Sequence, residues 1–329
     1  MKRKQGMLLL AAVIMTLMLH GCIGNGRGAQ NTSDDVIQIG LIKLVENGAF
    51  IDMREGFTAR MRELGYSEDQ LVIDYRNAGG DTGTLHTICQ AMVSAGKDLV
   101  VTIATPPTQA FVNLESDIPV FFISVSNPVQ AGIMSDMATP DRLATGTSNA
   151  IPIGEMFTLA DRLTPGINTY GFIYSAGEIN AVMTIESAKA FIAANGLEYR
   201  EVVVTASSEV QQAAQSLVGQ VDALFIPNDS MVQSAIAQVA EVAREAGIPV
   251  YGASAVMVAD GAFATISIDD QTIGAITADM VHEYLSGTSI EDIPGITVSE
   301  FTMVINRTTA DAIGVELPDD VLATAVMLD

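Results

Sequence analysis

Short runs of β-branched and apolar residues alternate with longer amphipathic segments from residue 36 onward. The short runs predict strands over Ile37–Leu41, Leu71–Tyr75, Leu99–Ile103, Val120–Ser124, Thr169–Tyr174, Tyr199–Val204, Ala223–Ile226, Val250–Tyr251 and Ala264–Ser267. Apolar residues at helical spacing predict helices over Asp52–Leu64, Thr84–Ala95, Val182–Ala194, Ser230–Ala246 and Thr272–Leu285. A glycine follows each of these helices within two residues, which is a typical C-terminal stop.

Strands that alternate with helices predict βαβ units and parallel sheets. The predicted strands are too many for one comfortable open sheet. We therefore expect an α/β fold with two doubly wound parallel-sheet lobes.

A weak internal repeat supports the two lobes. An acidic residue, a strand, a polar turn, a helix and an Ile-Pro-Val strand start follow one another in each half, beginning at Asp98 and at Asp222. The Ile-Pro-Val segments lie at 118–120 and 248–250, about one domain length apart. Ordinary α/β turn chemistry is the alternative explanation.

The N-terminus resembles a bacterial lipoprotein signal. A basic start, Met1–Lys4, precedes an apolar run, Met7–Leu19, that is short for a permanent membrane span. Leu19-His20-Gly21-Cys22 resembles a lipobox, although His20 is unusual at its position. We expect a signal peptide over 1–21, lipidation at Cys22, a flexible Gly/Asn/Ser-rich tether over 22–35, and an extracytoplasmic body anchored to the cell membrane. An uncleaved N-terminal anchor is the alternative.

Charge and composition limit the partners. The chain has 16 basic and 39 acidic residues, a formal net charge of −23, and no basic stripe, which argues against nucleic acid. Aromatic residues make up only 5%, so the core is expected to consist mainly of Ala, Val, Ile, Leu and Met. With Cys22 lipidated, Cys89 has no partner and is expected to be a buried thiol.

Polar residues cluster where the predicted strands end. Ligands of open α/β sheets bind beyond the carboxyl ends of the strands. The candidate ligand-binding residues are Glu46, Asn47, Thr105, Pro106, Ser126, Asn127, Tyr174, Glu178, Asn180, Asn228, Asp229 and Ser254.

These residue types suit a small zwitterion. Hydroxyls and helix N-termini bind carboxylates, and Asp229 or Glu178 can pair with an ammonium group. Tyr174 can stack on a ring. Each also has a bland interpretation: Asp229 as an ordinary N-cap, Thr105 as a turn former, and Asn127 as part of an Asn-Pro turn.

Catalytic motifs are missing from the sequence. His20, His86 and His282 have no Cys or carboxylate at metal-ligand spacing, and the chain contains no HExxH, CxxC, GxSxG or Walker pattern. We expect no metal, no cofactor and no enzymatic activity.

Several segments together resemble a known family. They are 52–65, 104–110, 118–132, 171–180, 208–222, 225–230 and 301–306. In this order they resemble the substrate-binding lipoproteins of ABC importers associated with tryptophan and tyrosine uptake, which have a type I periplasmic-binding-protein fold.

The resemblance implies a first lobe of 36–124 plus 261–329, a second lobe of 125–260, and a hinge of three crossings. It implies an ABC permease as partner and ligand contacts on Thr105, on Ser126-Asn127, on Tyr174 with Glu178 and Asn180, and on Asn228-Asp229.

The sequence departs from the family pattern at a few positions. Asn127 stands where the family has Asp, and Ala181 stands where it has Ser. Residues 47–51 replace a His-Pro-Ala-Leu-Asp-like stretch. We expect an aromatic or other apolar amino acid as ligand. A sugar- or nucleoside-type ligand, a sensory binding lipoprotein and an extracytoplasmic enzyme are the alternatives.

Overall fold

A computed structural model describes residues 36–329, so the predicted signal peptide, Cys22 and the tether lie outside the described residues. The strands are β1 Ile37–Lys43, β2 Leu71–Asn77, β3 Leu99–Ile103, β4 Val120–Ile123, β5 Ala144–Ser148, β6 Thr169–Ser175, β7 Glu198–Val204, β8 Ala223–Ile226, β9 Val250–Gly252, β10 Ala264–Ser267, β11 Ile296–Thr297, β12 Thr302–Asn306 and β13 Val326–Leu328. The helices are α1 Gly48–Glu63, α2 Thr82–Ser94, α3 Thr105–Val112, α4 Ile153–Leu163, α5 Ile179–Ala194, α6 Val210–Leu217, α7 Ser230–Ser234, α8 Ile236–Glu245, α9 Ala255–Ala259, α10 Asp270–Leu285, α11 Arg307–Ile313 and α12 Asp319–Leu322.

Every predicted strand is present, but several elements have no counterpart in the prediction. Strand β5 has the sequence ATGTS, whose small and hydroxylated residues are typical of a loop. It is fully buried because its hydroxyls find partners: Thr145 donates to the Ile293 carbonyl at 2.8 Å, and Thr147 hydrogen-bonds Thr277 at 2.9 Å. The predicted helix over Ser230–Ala246 is two helices, because the backbone at Ala235 leaves the helical region.

The strands form two sheets with the same internal order. The first sheet runs β11-β5-β4-β3-β1-β2 and the second runs β13-β12-β10-β9-β8-β6-β7. The order β2-β1-β3-β4-β5 thus recurs as β7-β6-β8-β9-β10, with parallel pairing among the first four strands of each series. Asp98 accepts the backbone N–H of Gln38 at 2.7 Å, and Asp222 accepts that of Thr169 at 2.9 Å. The structure therefore confirms the repeat and the two doubly wound lobes.

Helices cover both faces of the first sheet. Ile39 and Leu41 point toward α1 and α10, whereas Ile42 and Val100 point toward α2. Alternate residues of these strands therefore face opposite helical layers, which explains their continuous apolar runs. Cys89 is fully buried in the α2 layer, as expected, and burial raises the pKa of its thiol to about 12.

The chain crosses between the two sheets three times. The crossings are residues 149–152, 268–269 and 298–301. We call residues 36–148 with 270–297 the first lobe, and residues 153–267 with 302–329 the second lobe. The sheets thus correct the predicted boundaries: β5 pairs with β4 in the first sheet, and β10, β12 and β13 belong to the second.

Helices α1 and α10 cross at two glycines in the first lobe. A Cβ on Gly56 would lie 2.1 Å from the Gln271 carbonyl oxygen, and a Cβ on Gly274 would lie 2.1 Å from that of Met53. The two backbones are therefore in direct contact. This contact fixes the first turn of α10 against α1.

We predict that Gly274→Ala destabilises the protein by about 1–3 kcal/mol, because the added methyl group forces the two helix backbones apart. Urea unfolding would measure the loss. Gly83→Ala is the matched control, since that exposed helical position leaves 3.4 Å to the nearest atom. The control is expected to be neutral or stabilising by about 0.5–1 kcal/mol. Equal losses in both variants would contradict the crossing.

Candidate functional site

A cavity lies between the lobes at the carboxyl ends of the strands. About 640 Å³ of space between the lining residues is not filled by protein atoms, counting the opening to solvent. The first lobe lines it with α1, the β3–α3 junction, the segment after β4, and α10. The second lobe lines it with α5, α7 and the ends of β8, β9 and β10, and all three crossings contribute.

A strained turn places Thr105 in the cavity wall. Ala104, which ends the turn after β3, has φ 73° and ψ 174°, a conformation that non-glycine residues rarely adopt. Thr105 then opens α3, and the next two residues are prolines without an N–H. Thr105 is 1% exposed, and its Oγ1 has no hydrogen-bond partner within residues 36–329. The hydroxyl is therefore free to bind a ligand acceptor.

The second lobe presents two further polar atoms without a partner. The Asn180 side chain donates through Nδ2 to the Asn228 carbonyl at 2.6 Å, which fixes its orientation. Its Oδ1 and the Nε2 of Gln233 are buried, and neither has a partner within the described part of the chain. Both residues line the cavity. The second lobe thus offers one acceptor and one donor to a ligand.

Two buried carboxyl groups, those of Asp229 and Glu178, lie behind this wall. Asp229 caps α7, accepting the N–H groups of Met231 at 3.1 Å and Val232 at 3.0 Å through Oδ1, and that of Ser175 at 2.6 Å through Oδ2. Glu178 accepts the N–H groups of Ser230 at 3.0 Å and Met231 at 3.3 Å. The pair thereby ties α5 and β6 to the start of α7.

Burial and mutual repulsion leave the pair with a proton near neutral pH. Burial, and then the Asp229 charge, raise the pKa of Glu178 to about 8. Burial also raises the pKa of Asp229. The pair therefore binds a proton more tightly than free carboxyl groups do. Most acceptor positions of Asp229 are occupied by backbone N–H groups.

Six of the twelve sequence-predicted residues line the cavity. They are Thr105, Ser126, Asn180, Asn228, Asp229 and Ser254. They meet at one cavity because the carboxyl edges of the two sheets face each other. Ser254 also caps α9 by accepting the Met257 N–H at 3.3 Å.

The other six predicted residues do not line the cavity, which corrects the sequence expectation about their position. Asn47 caps α1 and Asn127 closes a turn with Gln130, whereas Pro106 lies within α3. Glu46 pairs with the buried Lys43.

Tyr174 and Glu178 complete this group of six. The Tyr174 hydroxyl donates to Glu201 at 3.0 Å, and Lys189 lies over its ring. Tyr174 therefore packs between β6 and β7 and offers no face to a ligand. Glu178 lies behind Asp229 and acts on the cavity only through the start of α7.

The sequence prediction missed several lining residues. Asp270 begins α10 three residues after the end of β10. The sequence already indicated this strand end, because Ala264–Ser267 was a predicted strand. Gln233 lies within a predicted helix, and no pattern in the sequence marks it. Phe50, Met53 and Phe301 supply apolar surface that looks like ordinary core sequence.

Within residues 36–329, no group of three or more His, Cys, Asp or Glu side chains is arranged to hold a metal ion. The cavity lining consists of hydroxyls, amides, two carboxylates and apolar side chains. This chemistry suits reversible binding of a small polar molecule with an apolar part.

We predict that the buried Glu178 makes folding stability fall as pH rises from about 5 to 8. The folded state binds this proton more tightly than the unfolded state, whose pKa is near 4.5, so the penalty is absent below that value and complete above about 8. Urea unfolding at several pH values should show that Glu178→Gln removes a fall on the order of 3 kcal/mol.

Glu245→Gln, at an exposed position of α8, is the control and should keep the wild-type slope. An unchanged slope in Glu178→Gln would show that Glu178 holds no proton near neutral pH.

Comparison with known proteins finds several similar chains. A curated relative, the tyrosine-binding protein of Clostridioides difficile strain R20291, is 34% identical over 316 residues, which cover 94% of this chain and 92% of the relative. A solved structure of an ABC domain in complex with L-Trp from Streptococcus pneumoniae has 29% identity and a TM-score of 0.86, covering 90% of this chain and 100% of the other.

A ligand-free, open structure from Clostridium difficile, of a substrate binding protein with adhesive properties, superposes less well. Its identity is 32%, its TM-score is 0.68, and the match covers 89% of this chain and 99% of the other.

The chain also matches a protein-family model. The model for ABC transporter substrate binding proteins matches residues 38–328, nearly all of the described chain. The fold is that of the type I periplasmic binding proteins. The chain therefore belongs to the ABC transporter substrate binding protein family.

Proposed function

We propose that the protein is the extracytoplasmic solute-binding lipoprotein of an ABC importer and that it binds an aromatic amino acid in the interlobe cavity. The observation that carries this proposal is the set of buried polar atoms without partners on both walls of one cavity, those of Thr105, Asn180 and Gln233. Buried polar groups are normally paired, so a ligand is the natural source of their partners.

The cavity also offers apolar surface for a side chain. Phe50 and Met53 of α1, Ile273 of α10 and Phe301 of the third crossing line it beside the polar groups. An amino acid with an aromatic side chain combines a zwitterionic head with such an apolar part. The named tyrosine-binding relative and the L-Trp complex support this ligand class.

Closure of the two lobes gives the binding mechanism. Across the cavity mouth, α3 contacts α5, and α1 contacts α9. At the second contact a Cβ on Gly48 would lie 2.8 Å from Val256. A ligand that bridges both walls favours this closed arrangement, because it binds the closed state better than the open one. The closed complex is the form that an ABC permease would receive.

Membrane attachment is proposed at Cys22, in the lipobox-like sequence that precedes the described residues. Among residues 36–329, no helix combines the length and apolarity needed to cross a bilayer. Metabolic labelling with a palmitate analogue, compared between wild type and Cys22→Ser, tests the anchor.

We predict that calorimetric titration of the purified body with L-Tyr, L-Trp and L-Phe gives binding at a Kd of micromolar or below for at least one of them. Thr105→Val should weaken that binding about tenfold or more, because the ligand carboxylate loses a charge-assisted hydrogen bond. Thr87→Val, at an exposed position of α2, is the control and should bind as the wild type does.

Myo-inositol, ribose and adenosine complete the titration panel. Heat from one of these compounds and none from the amino acids would replace the amino-acid proposal with the sugar or nucleoside alternative. Native mass spectrometry of the freshly purified protein would identify a co-purified ligand independently.

A further prediction concerns lobe closure. Gly48→Ala should weaken binding of the same amino acid several-fold while leaving the urea unfolding of the ligand-free protein nearly unchanged, because the added methyl group meets Val256 only when the lobes close. Gly154→Ala, where the nearest atom is 3.9 Å away, is the control. Unchanged affinity in Gly48→Ala would mean that this contact plays no part in closure.

A further inference from the structure

We infer that Asp270 binds the ammonium group of the ligand, an assignment that rests on the proposed amino-acid-binding function. Asp270 is the first residue of α10 and lines the cavity immediately after the second crossing. The sequence prediction gave the ammonium group to Asp229 or Glu178, on the opposite lobe.

The partners of each carboxylate separate these candidates. Asp229 accepts three backbone N–H groups, and Glu178 does not line the cavity. Asp270 has no hydrogen-bond or ion-pair partner within residues 36–329. Asp270 is half-buried. A partly desolvated carboxylate without a partner is unfavourable, so a cationic group in the cavity gains most at Asp270.

Among the described residues, the cavity wall has no cationic side chain that could pair with Asp270. The lining residues include Asp229 and Asp270 but no Lys, Arg or His. Negative charge also surrounds Asp270: burial first, then Asp52 of α1 and the neighbouring Asp269, raise its pKa well above the ordinary value. A bound ammonium group supplies the missing positive charge and excludes neutral or anionic head groups from this position.

The backbone that carries Asp270 is held rigidly. Asp269 caps α10 by accepting the Thr272 N–H at 2.7 Å. The crossing of Gly274 and Gly56 then holds the first turns of α10 against α1. Binding groups on fixed helices hold their geometry better than groups on loops.

The assignment also orients the ligand. The hydroxyl of Thr105, which is 1% exposed and unpaired in the described chain, and the Asp270 carboxylate both belong to the first lobe. The first lobe then binds the two charged groups of the zwitterion. Asn180 and Gln233 of the second lobe complete the hydrogen bonds on closure. This division implies that the ligand binds first to the first lobe and is then covered by the second lobe.

Titration with L-tyrosine and its desamino analogue, 3-(4-hydroxyphenyl)propionate, tests the assignment, with L-tryptophan and indole-3-propionate as the second pair. The wild type should prefer the amino acid by about 30-fold or more, as expected for a buried charge pair. Asp270→Asn should lose most of this preference, through weaker binding of the amino acid and equal or tighter binding of the desamino analogue. A merely structural role of Asp270 would weaken both ligands alike.

Asp270→Asn should also raise the thermal midpoint of the ligand-free protein at pH 7. The ionised carboxylate is unfavourable in the folded state because burial and Asp52 raise its pKa, and the amide removes that charge. Asp270→Ser is a second variant with the same expected loss of preference. Glu283→Gln, on the same helix, is the control, since Glu283 is exposed and does not line the cavity, and it should keep the wild-type preference.

The outcomes distinguish the assignment from the proposed function. A wild type that binds no aromatic amino acid would overturn the proposed function. A wild type that prefers the amino acid, together with Asp270→Asn and Asp270→Ser variants that keep this preference, would overturn only the assignment. Loss of the preference in Asp229→Asn instead would return the ammonium group to the second lobe.

Discussion

Buried polar atoms must find partners, and this constraint governs the cavity between the lobes. Thr105 of the first lobe and Asn180 and Gln233 of the second each present such an atom without a protein partner among the described residues. An unsatisfied buried polar group is unfavourable by about 1–3 kcal/mol. A ligand that satisfies groups on both walls therefore couples its own binding to the closed arrangement, as suits a member of the ABC transporter substrate binding protein family.

The repeated strand order explains why both walls carry similar chemistry. The series β2-β1-β3-β4-β5 and β7-β6-β8-β9-β10 each end in loops at the carboxyl edge of a sheet, and the three crossings turn these edges toward each other. Strand β5 and strand β10 lead directly into the first two crossings. The hinge segments consequently form part of the cavity as well as joining the lobes.

Three carboxylates near the cavity differ because their surroundings differ. Asp229 is satisfied by the backbone N–H groups of α7 and β6. Burial and the charge of Asp229 raise the pKa of Glu178, so its neutral form is favoured. Asp270 accepts no hydrogen bond from the described residues, and burial with the charges of Asp52 and Asp269 raises its pKa well above the ordinary value. The first two stabilise the wall of the second lobe, whereas the third is a carboxyl group whose ionisation is unfavourable until a cationic group binds beside it. Stability given up at such a position is a common property of binding sites.

The sequence by itself determined the alternation of strands and helices, the two doubly wound lobes and the clustering of polar residues at strand ends, because hydrophobic periodicity and turn residues are local signals. Half of the predicted site residues line the cavity, since position at a strand end does not reveal which way a side chain points. Tyr174, for example, turns toward Glu201. The lobe boundaries, the role of β5, and the placement of Gln233 and Asp270 required the tertiary structure. They depend on hydrogen bonds and packing between segments that are distant in sequence, and no local pattern records those contacts.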